Sequence, residues 1–232
     1  MKIKLAFLLF LLQLSAFAQL PEGFVYVEDV IPSIQLELRY CLNNNFVGEP
    51  VDGYHAEVCI LTKQAAYALK KVQEDLKKDS LSLKVFDAYR PQQAVNHFSK
   101  WAKNVKDTLM KQQYYPNVDK RNLFRDGYIA SKSRHSSGST IDLTIVDLKT
   151  GKELDMGTPY DYFGTPSWYL HEGLTQAQKA NRALLHTIML NMALDIIQKN
   201  GGILRYEASL LKISILISLW NNLLFLFIHL QP

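Results

Sequence analysis

The stretch Ser133-Arg134-His135-Ser136-Ser137-Gly138-Ser139-Thr140-Ile141-Asp142 carries the residue types most suited to chemistry. His135 falls in a Gly/Ser-rich loop and Asp142 on the strand expected after it, so an imidazole nitrogen and a carboxylate oxygen can converge on one metal ion. Zn²⁺ is the first choice, because catalytic zinc takes three protein ligands from His and Asp/Glu and keeps one position for water. The same spacing also describes a loop histidine and a strand aspartate satisfied by ordinary hydrogen bonds. A second patch, Val85-Phe86-Asp87-Ala88-Tyr89-Arg90-Pro91, places Arg90 between an expected strand and an expected helix. The planar donors of an arginine there hold a carboxylate or stabilise an oxyanion. The alternative is a surface arginine paired with Asp87.

The elements that must position these groups follow from periodicity. Gln35 to Tyr40 alternates like a half-buried strand. Thr62 is placed to N-cap a helix whose apolar stripe is Ala65, Leu69, Val72 and Leu76, ending in a Lys/Asp-rich turn at 77–80. Leu81 to Phe86 reads as a strand. Pro91 suits the first turn of a helix carrying Ala94, Phe98, Trp101 and Val105 on one face. Ile141, Leu143 and Ile145 alternate with Asp142, Thr144 and Val146 as a strand. A further helix runs from Thr175 through Leu184, Leu185, Ile188 and Met189. Strands and helices mix without a βαβ rhythm, which predicts an α+β domain.

Composition bounds the function. The 232 residues are 48% hydrophobic and 21% charged, which excludes disorder, collagen and a pure coiled coil. Lys plus Arg exceeds Asp plus Glu by a net +4 with no Lys/Arg-rich run, so no nucleic-acid partner is expected. Lys2 and Lys4, the apolar run 5–12 and Ala16-Phe17-Ala18 read as an export signal over residues 1–18, which predicts a periplasmic or secreted protein. Export puts Cys41 and Cys59 in an oxidising compartment, where they form either a disulfide or two buried thiols.

With Asp-Ala-Tyr-Arg-Pro at 87–91, Ser-x-His-x-x-Gly-x-x-x-Asp at 133–142 and Met-Gly-Thr-Pro-Tyr-Asp at 156–161 in order, the chain resembles the zinc D-alanyl-D-alanine dipeptidases. That family includes the vancomycin-resistance dipeptidase, and the resemblance covers about residues 25–190. It implies a single α+β domain of the zinc DD-peptidase type over residues 20–190, with a mixed or antiparallel sheet and flanking helices. It further implies one Zn²⁺ per chain and hydrolysis of free D-Ala-D-Ala in cell-wall dipeptide metabolism. His135 and Asp142 are then two zinc ligands and Arg90 stabilises charge in the transition state. Asp161, read alone as a solvent-facing loop carboxylate, becomes the partner of the substrate ammonium, with Ser133 near the substrate carboxylate. Capture of both termini of a dipeptide rejects longer peptides, because an unpaired buried charge is costly.

The resemblance also implies a Glu-x-x-His near the C-terminus, the Glu as general base and the His as third ligand. After residue 190 nothing supplies it: Glu207 has no histidine at the right spacing and His229 stands in an apolar tail. His55, His97, His171 and His186 match no ligand position and are expected to be structural or surface residues. The tail, 191–232, is expected to be out of frame. With suitable synonymous codons, the letters for Met192 to Leu204 read in the shifted frame give Gly-Phe-Arg-His-Tyr-Pro-Lys-Glu-Trp-Trp-His-Phe. Gly201 and Gly202 supply the GG pairs of both Trp codons whatever the codon choice. Ser214 to Asn222 similarly yields Tyr-Phe-Asp-Phe-Pro-Met-Glu and a stop. The expectation is therefore a dipeptidase impaired in this chain. The alternatives are an exported protein that binds a D-amino-acid dipeptide or peptidoglycan stem without cleaving it, and a real C-terminal membrane anchor.

Overall fold

The computed structural model describes residues 20–200, 205–208 and 213–216. The expected export signal and most of the apolar tail, with His229, lie outside them. In chain order, β1 (Phe24–Tyr26) leads into a short α1 (Val27–Val30), then β2 (Gln35–Leu36) and β3 (Ile60–Thr62). There follow α2 (Lys63–Lys78), β4 (Leu81–Asp87), α3 (Gln92–Lys103) and a one-turn α4 (Lys111–Tyr114). The chain continues through β5 (Asp142–Asp147), α5 (Gln176–Asn200), β6 (Arg205–Ala208) and β7 (Ile213–Leu216). The central sheet runs β2-β4-β5, with β2 parallel and β5 antiparallel to β4; β1 pairs with β3 and β6 with β7, both antiparallel. This is the expected α+β domain with a mixed sheet.

Local rules explain most of the elements. The Thr62 hydroxyl accepts the Ala65 N–H and caps α2. The stripe Ala65, Leu69, Val72 and Leu76 is buried on Leu83, Val85 and Ile145 of the sheet. At α5, Thr175 and Gln178 cap each other reciprocally through side chain and backbone. A second, aromatic core gathers Tyr40, Phe46, Phe98, Trp101, Tyr115 and Phe163. Strand β4 serves both cores, because Val85 points into the first and Phe86 into the second.

Four local expectations are corrected. The strand expected over 35–40 stops at Leu36, and Arg39–Cys41 forms a 3₁₀ turn. That turn buries Tyr40 in the aromatic core and sets the Arg39 guanidinium over the Phe86 ring at 4.9 Å. Pro91 is the N-cap of α3 rather than a first-turn residue. Val105 lies past the end of α3, where the Asn104 N–H returns to the Lys100 and Trp101 carbonyls, and is 48% exposed. Leu184 is exposed because the buried stripe of α5 runs through Leu185 and Met189, one turn apart. Cys41 and Cys59 are separate thiols. The Cys41 thiol sits 3.1 Å from the Ala56 carbonyl, and burial first, then the neighbouring carboxylates, pushes its pKa up to about 11. Among the described residues, no helix is long and apolar enough to cross a membrane.

Leu69 is 1% exposed between α2 and the sheet. Leu69→Ala should therefore lower unfolding free energy by about 2–5 kcal/mol, read as a fall in the denaturant midpoint.

Candidate active site

The site is built where β4 and β5 stop pairing regularly. Val85 faces Leu143 across the ladder, but the next partner of Asp142 is Asp87, so Phe86 is an extra residue bulged out of register. A bulge re-aims the side chains beyond it. Here it sets two aspartates opposite each other, both almost fully buried.

His135 is brought to them by a 3₁₀ turn, Arg134–Ser137. The Ser133 hydroxyl accepts the His135 N–H at the start of this turn, and Gly138 closes it at φ +71°. A Cβ on Gly138 would lie 2.3 Å from the Phe24 ring, so both backbone and space require glycine. The turn is laced to the end of β4: the Arg90 N–H donates to the His135 carbonyl and the Ser136 hydroxyl to the Arg90 carbonyl. Nδ1 of His135 lies 2.8 Å from the Ala88 carbonyl, which fixes Nδ1 as the protonated nitrogen. In the neutral ring Nε2 is then the lone-pair nitrogen, 3.4 Å from Oδ1 of Asp142.

That distance is also the one a shared ion would give. Two ligand atoms about 2.0–2.1 Å from one ion at the tetrahedral angle stand roughly 3.3–3.4 Å apart. The ligand atoms of Asp87, His135 and Asp142 all lie within 4.8 Å of one another, the pattern of a metal cluster. Asp87 faces the wrong nitrogen, however, with its Oδ2 3.4 Å from Nδ1 on the far side of the ring. Both of its oxygens are engaged: Oδ2 accepts from Nε and an Nη of Arg90 at 2.9 and 2.6 Å, and Oδ1 from the Tyr54 hydroxyl at 2.7 Å. The residues present therefore fit two ligands of a zinc site, His135 and Asp142, with Asp87 holding the arginine.

Arg90 is paired with Asp87, but not at the surface. It is 9% exposed, lies 3.6 Å from Asp142, and stacks over the Tyr40 and Phe98 rings. Burial works to lower its pKa, but Asp87, the flanking tyrosines and Asp142 outweigh burial and hold the guanidinium well above its ordinary value. It stays a cation.

Asp161 is buried rather than solvent-facing, in a left-handed backbone at φ +63°. Its Oδ2 accepts the Tyr40 hydroxyl at 2.7 Å. The Tyr40 oxygen lies 3.1 Å from the Tyr160 oxygen, and the Tyr160 hydroxyl donates to Oδ2 of Asp142 at 2.9 Å. Burial, then the nearby carboxylates, raises the pKa of Tyr160 well above its ordinary value, so its hydroxyl keeps the proton it donates. Asp87, Asp142 and Asp161 are thus all buried, with the Arg90 guanidinium on Asp87 and 3.6 Å from Asp142. Ser133 lies with Arg90, His135, Phe98 and Tyr128 around a pocket of about 160 Å³.

The remaining histidines among the described residues stay away from this cluster. His97 accepts the Asp52 N–H, His186 stacks on Tyr169, and His55 and His171 stand elsewhere on partly or fully exposed loops. The sequence reading missed Asp87 as a member of the cluster, as well as Tyr40, Tyr54 and Tyr160. Asp87 and Tyr160 both lie inside the quoted motifs, beside Arg90 and Asp161, and that adjacency was the available signal.

A β-bulge, an imidazole nitrogen set against a carboxylate, and a buried arginine together suit a metallopeptidase type of site. Residues 21–200 match the family profile described as D-ala-D-ala dipeptidase, and the chain belongs to that family. It is 38% identical over 167 residues to a D-alanyl-D-alanine dipeptidase of Enterococcus faecalis, covering 72% of this chain and 83% of the relative. A relative of the same name from Enterococcus faecium is 36% identical over 75% of this chain and 86% of its own. One from Escherichia coli is 32% identical over 69% and 72%.

Gly138→Ala should destabilise the fold by about 1–2 kcal/mol from the left-handed backbone alone, and by more if the Phe24 ring must move. Urea unfolding measures it; a midpoint equal to that of the unaltered chain would contradict the constraint on the His135 turn.

Proposed function

We propose that this chain is an exported member of the family built to hydrolyse D-alanyl-D-alanine with one zinc ion, and that the chain as written is impaired. The observation that carries this reading is the 3.4 Å approach of the His135 lone-pair nitrogen to Asp142, with the other ring nitrogen tied to a backbone carbonyl. A hydrogen bond of that kind from the far ring nitrogen is how proteins fix the tautomer of a ligating histidine. His135 and Asp142 are the residues that hold the ion. Zinc, when bound, supplies a Lewis acid for the scissile carbonyl and a water of lowered pKa.

The other groups act on the substrate. Arg90, kept charged and oriented by Asp87, donates to the carbonyl oxygen as negative charge develops on it. Asp161 pairs with the dipeptide ammonium, and Ser133, on the rim of the adjacent pocket, lies toward the carboxylate. A longer peptide would leave one of these partners buried and unpaired, which favours the free dipeptide over intact wall precursors.

Two functional groups are missing, a third ligand and a general base. Asp87 does not replace them, because Arg90 and Tyr54 occupy its oxygens. We read residues 191–232 as out-of-frame translation of a segment that encodes Glu-Trp-Trp-His. The periplasmic or secreted location rests on the sequence of residues 1–18 alone.

Two outcomes are expected. The purified chain should hydrolyse D-Ala-D-Ala about 10²–10⁴-fold more slowly than a chain whose frame is restored by one nucleotide inserted in the Met192 codon. Both should lose activity to a zinc chelator. An ordinary enzymatic rate from the chain as written, or no gain on restoring the frame, would refute the impairment and the frameshift respectively. Resequencing the gene from Leu190 to Leu223 tells whether the shift lies in the organism.

A further inference from the structure

Tyr160 occupies a position that packing alone does not explain. Its ring is stacked on Phe86, the bulged residue of β4, at 4.4 Å and 14° between planes. The loop that bears it is clamped by Arg182, whose guanidinium donates to the carbonyls of Met156, Pro166 and Trp168. Ring and loop together leave the hydroxyl little freedom, and they aim it at one oxygen of Asp142, Oδ2, at 2.9 Å. Arg90 lies 3.6 Å from that same oxygen. The opposite oxygen, Oδ1, is the one turned toward Nε2 of His135.

We propose that Tyr160 is a positioning residue: by holding Oδ2 of Asp142 it commits that carboxylate to ligate metal through Oδ1 alone. This inference rests on the zinc reading above. A carboxylate that accepts a hydrogen bond at one oxygen cannot rotate to offer both, so its second oxygen keeps a fixed place relative to the imidazole. A tyrosine suits the task because it brings a neutral donor into a pocket already rich in negative charge. A lysine at the same place would compete with the metal for Asp142, and a phenylalanine would fill the space without setting the carboxylate. The Tyr160 oxygen also lies 3.1 Å from that of Tyr40, which donates to Asp161, so the proposed ligand and the proposed ammonium partner are set by neighbouring hydroxyls.

Tyr160→Phe removes the hydroxyl and keeps the stacked ring. Tyr114→Phe is the control, because it removes another buried tyrosine hydroxyl, bonded to Asn44 rather than to Asp142. Zn²⁺ alone is titrated calorimetrically into the full chain and both variants at pH 7, with circular dichroism to verify folding. The proposal predicts zinc binding weakened about 10–100-fold in Tyr160→Phe and unchanged in Tyr114→Phe. Equal zinc affinity in the unaltered chain and Tyr160→Phe overturns the inference and leaves the zinc reading standing. Equal losses in both variants also overturn it, by assigning the effect to general loosening. An unaltered chain that binds no zinc refutes the zinc reading and this inference with it.

Discussion

Three buried carboxylates gathered with one buried guanidinium are the constraint on which this site depends. Asp87, Asp142 and Asp161 are each no more than 4% exposed, and Arg90 is paired with Asp87 and lies 3.6 Å from Asp142. Burying charge is costly unless each group is paired and hydrogen-bonded, so the surroundings must supply donors at fixed places. They do so with three tyrosine hydroxyls, from Tyr40, Tyr54 and Tyr160.

The fold exists to hold this arrangement against its own repulsion. The aliphatic core fixes β4 from one side through Leu83 and Val85, and the aromatic core fixes it from the other through Phe86. The bulge between them turns a regular ladder into a cross-strand aspartate pair, and like charges placed opposite each other would otherwise destabilise the sheet. Arg90 follows directly at the end of β4 and relieves that repulsion, so the sequence that creates the problem also carries its remedy three residues later. The Gly138 turn then closes His135 over the pair. The Ser133 pocket lies beside them, and Arg90 and His135 form part of its wall.

What was legible in the sequence was mostly local. The Thr62 cap, the Leu69 and Leu76 stripe and strands β4 and β5 followed from periodicity and capping, because those signals act over a few residues. The three ordered motifs identified the family and brought His135, Asp142, Arg90 and Asp161 to attention, and the structure gathers all four. The bulge at Phe86 was not legible, since one extra residue looks the same as uninterrupted alternation. Nor were the Tyr40 and Tyr160 contacts, in which Tyr40 reaches Asp161 across 121 positions in the chain. Asp87 was read as a salt-bridge partner and is one, but its burial behind the imidazole is a tertiary fact. The turn at Arg39–Cys41 overrode a good strand pattern because Tyr40 was needed in the aromatic core.

The most direct test is diffraction from crystals of the chain grown with Zn²⁺, with anomalous data collected on both sides of the zinc absorption edge. The account predicts one anomalous peak about 2.0–2.1 Å from both Nε2 of His135 and an oxygen of Asp142, with Asp87 still on Arg90. A peak on Asp87 and Nδ1 of His135, or none within reach of His135 and Asp142, would contradict it.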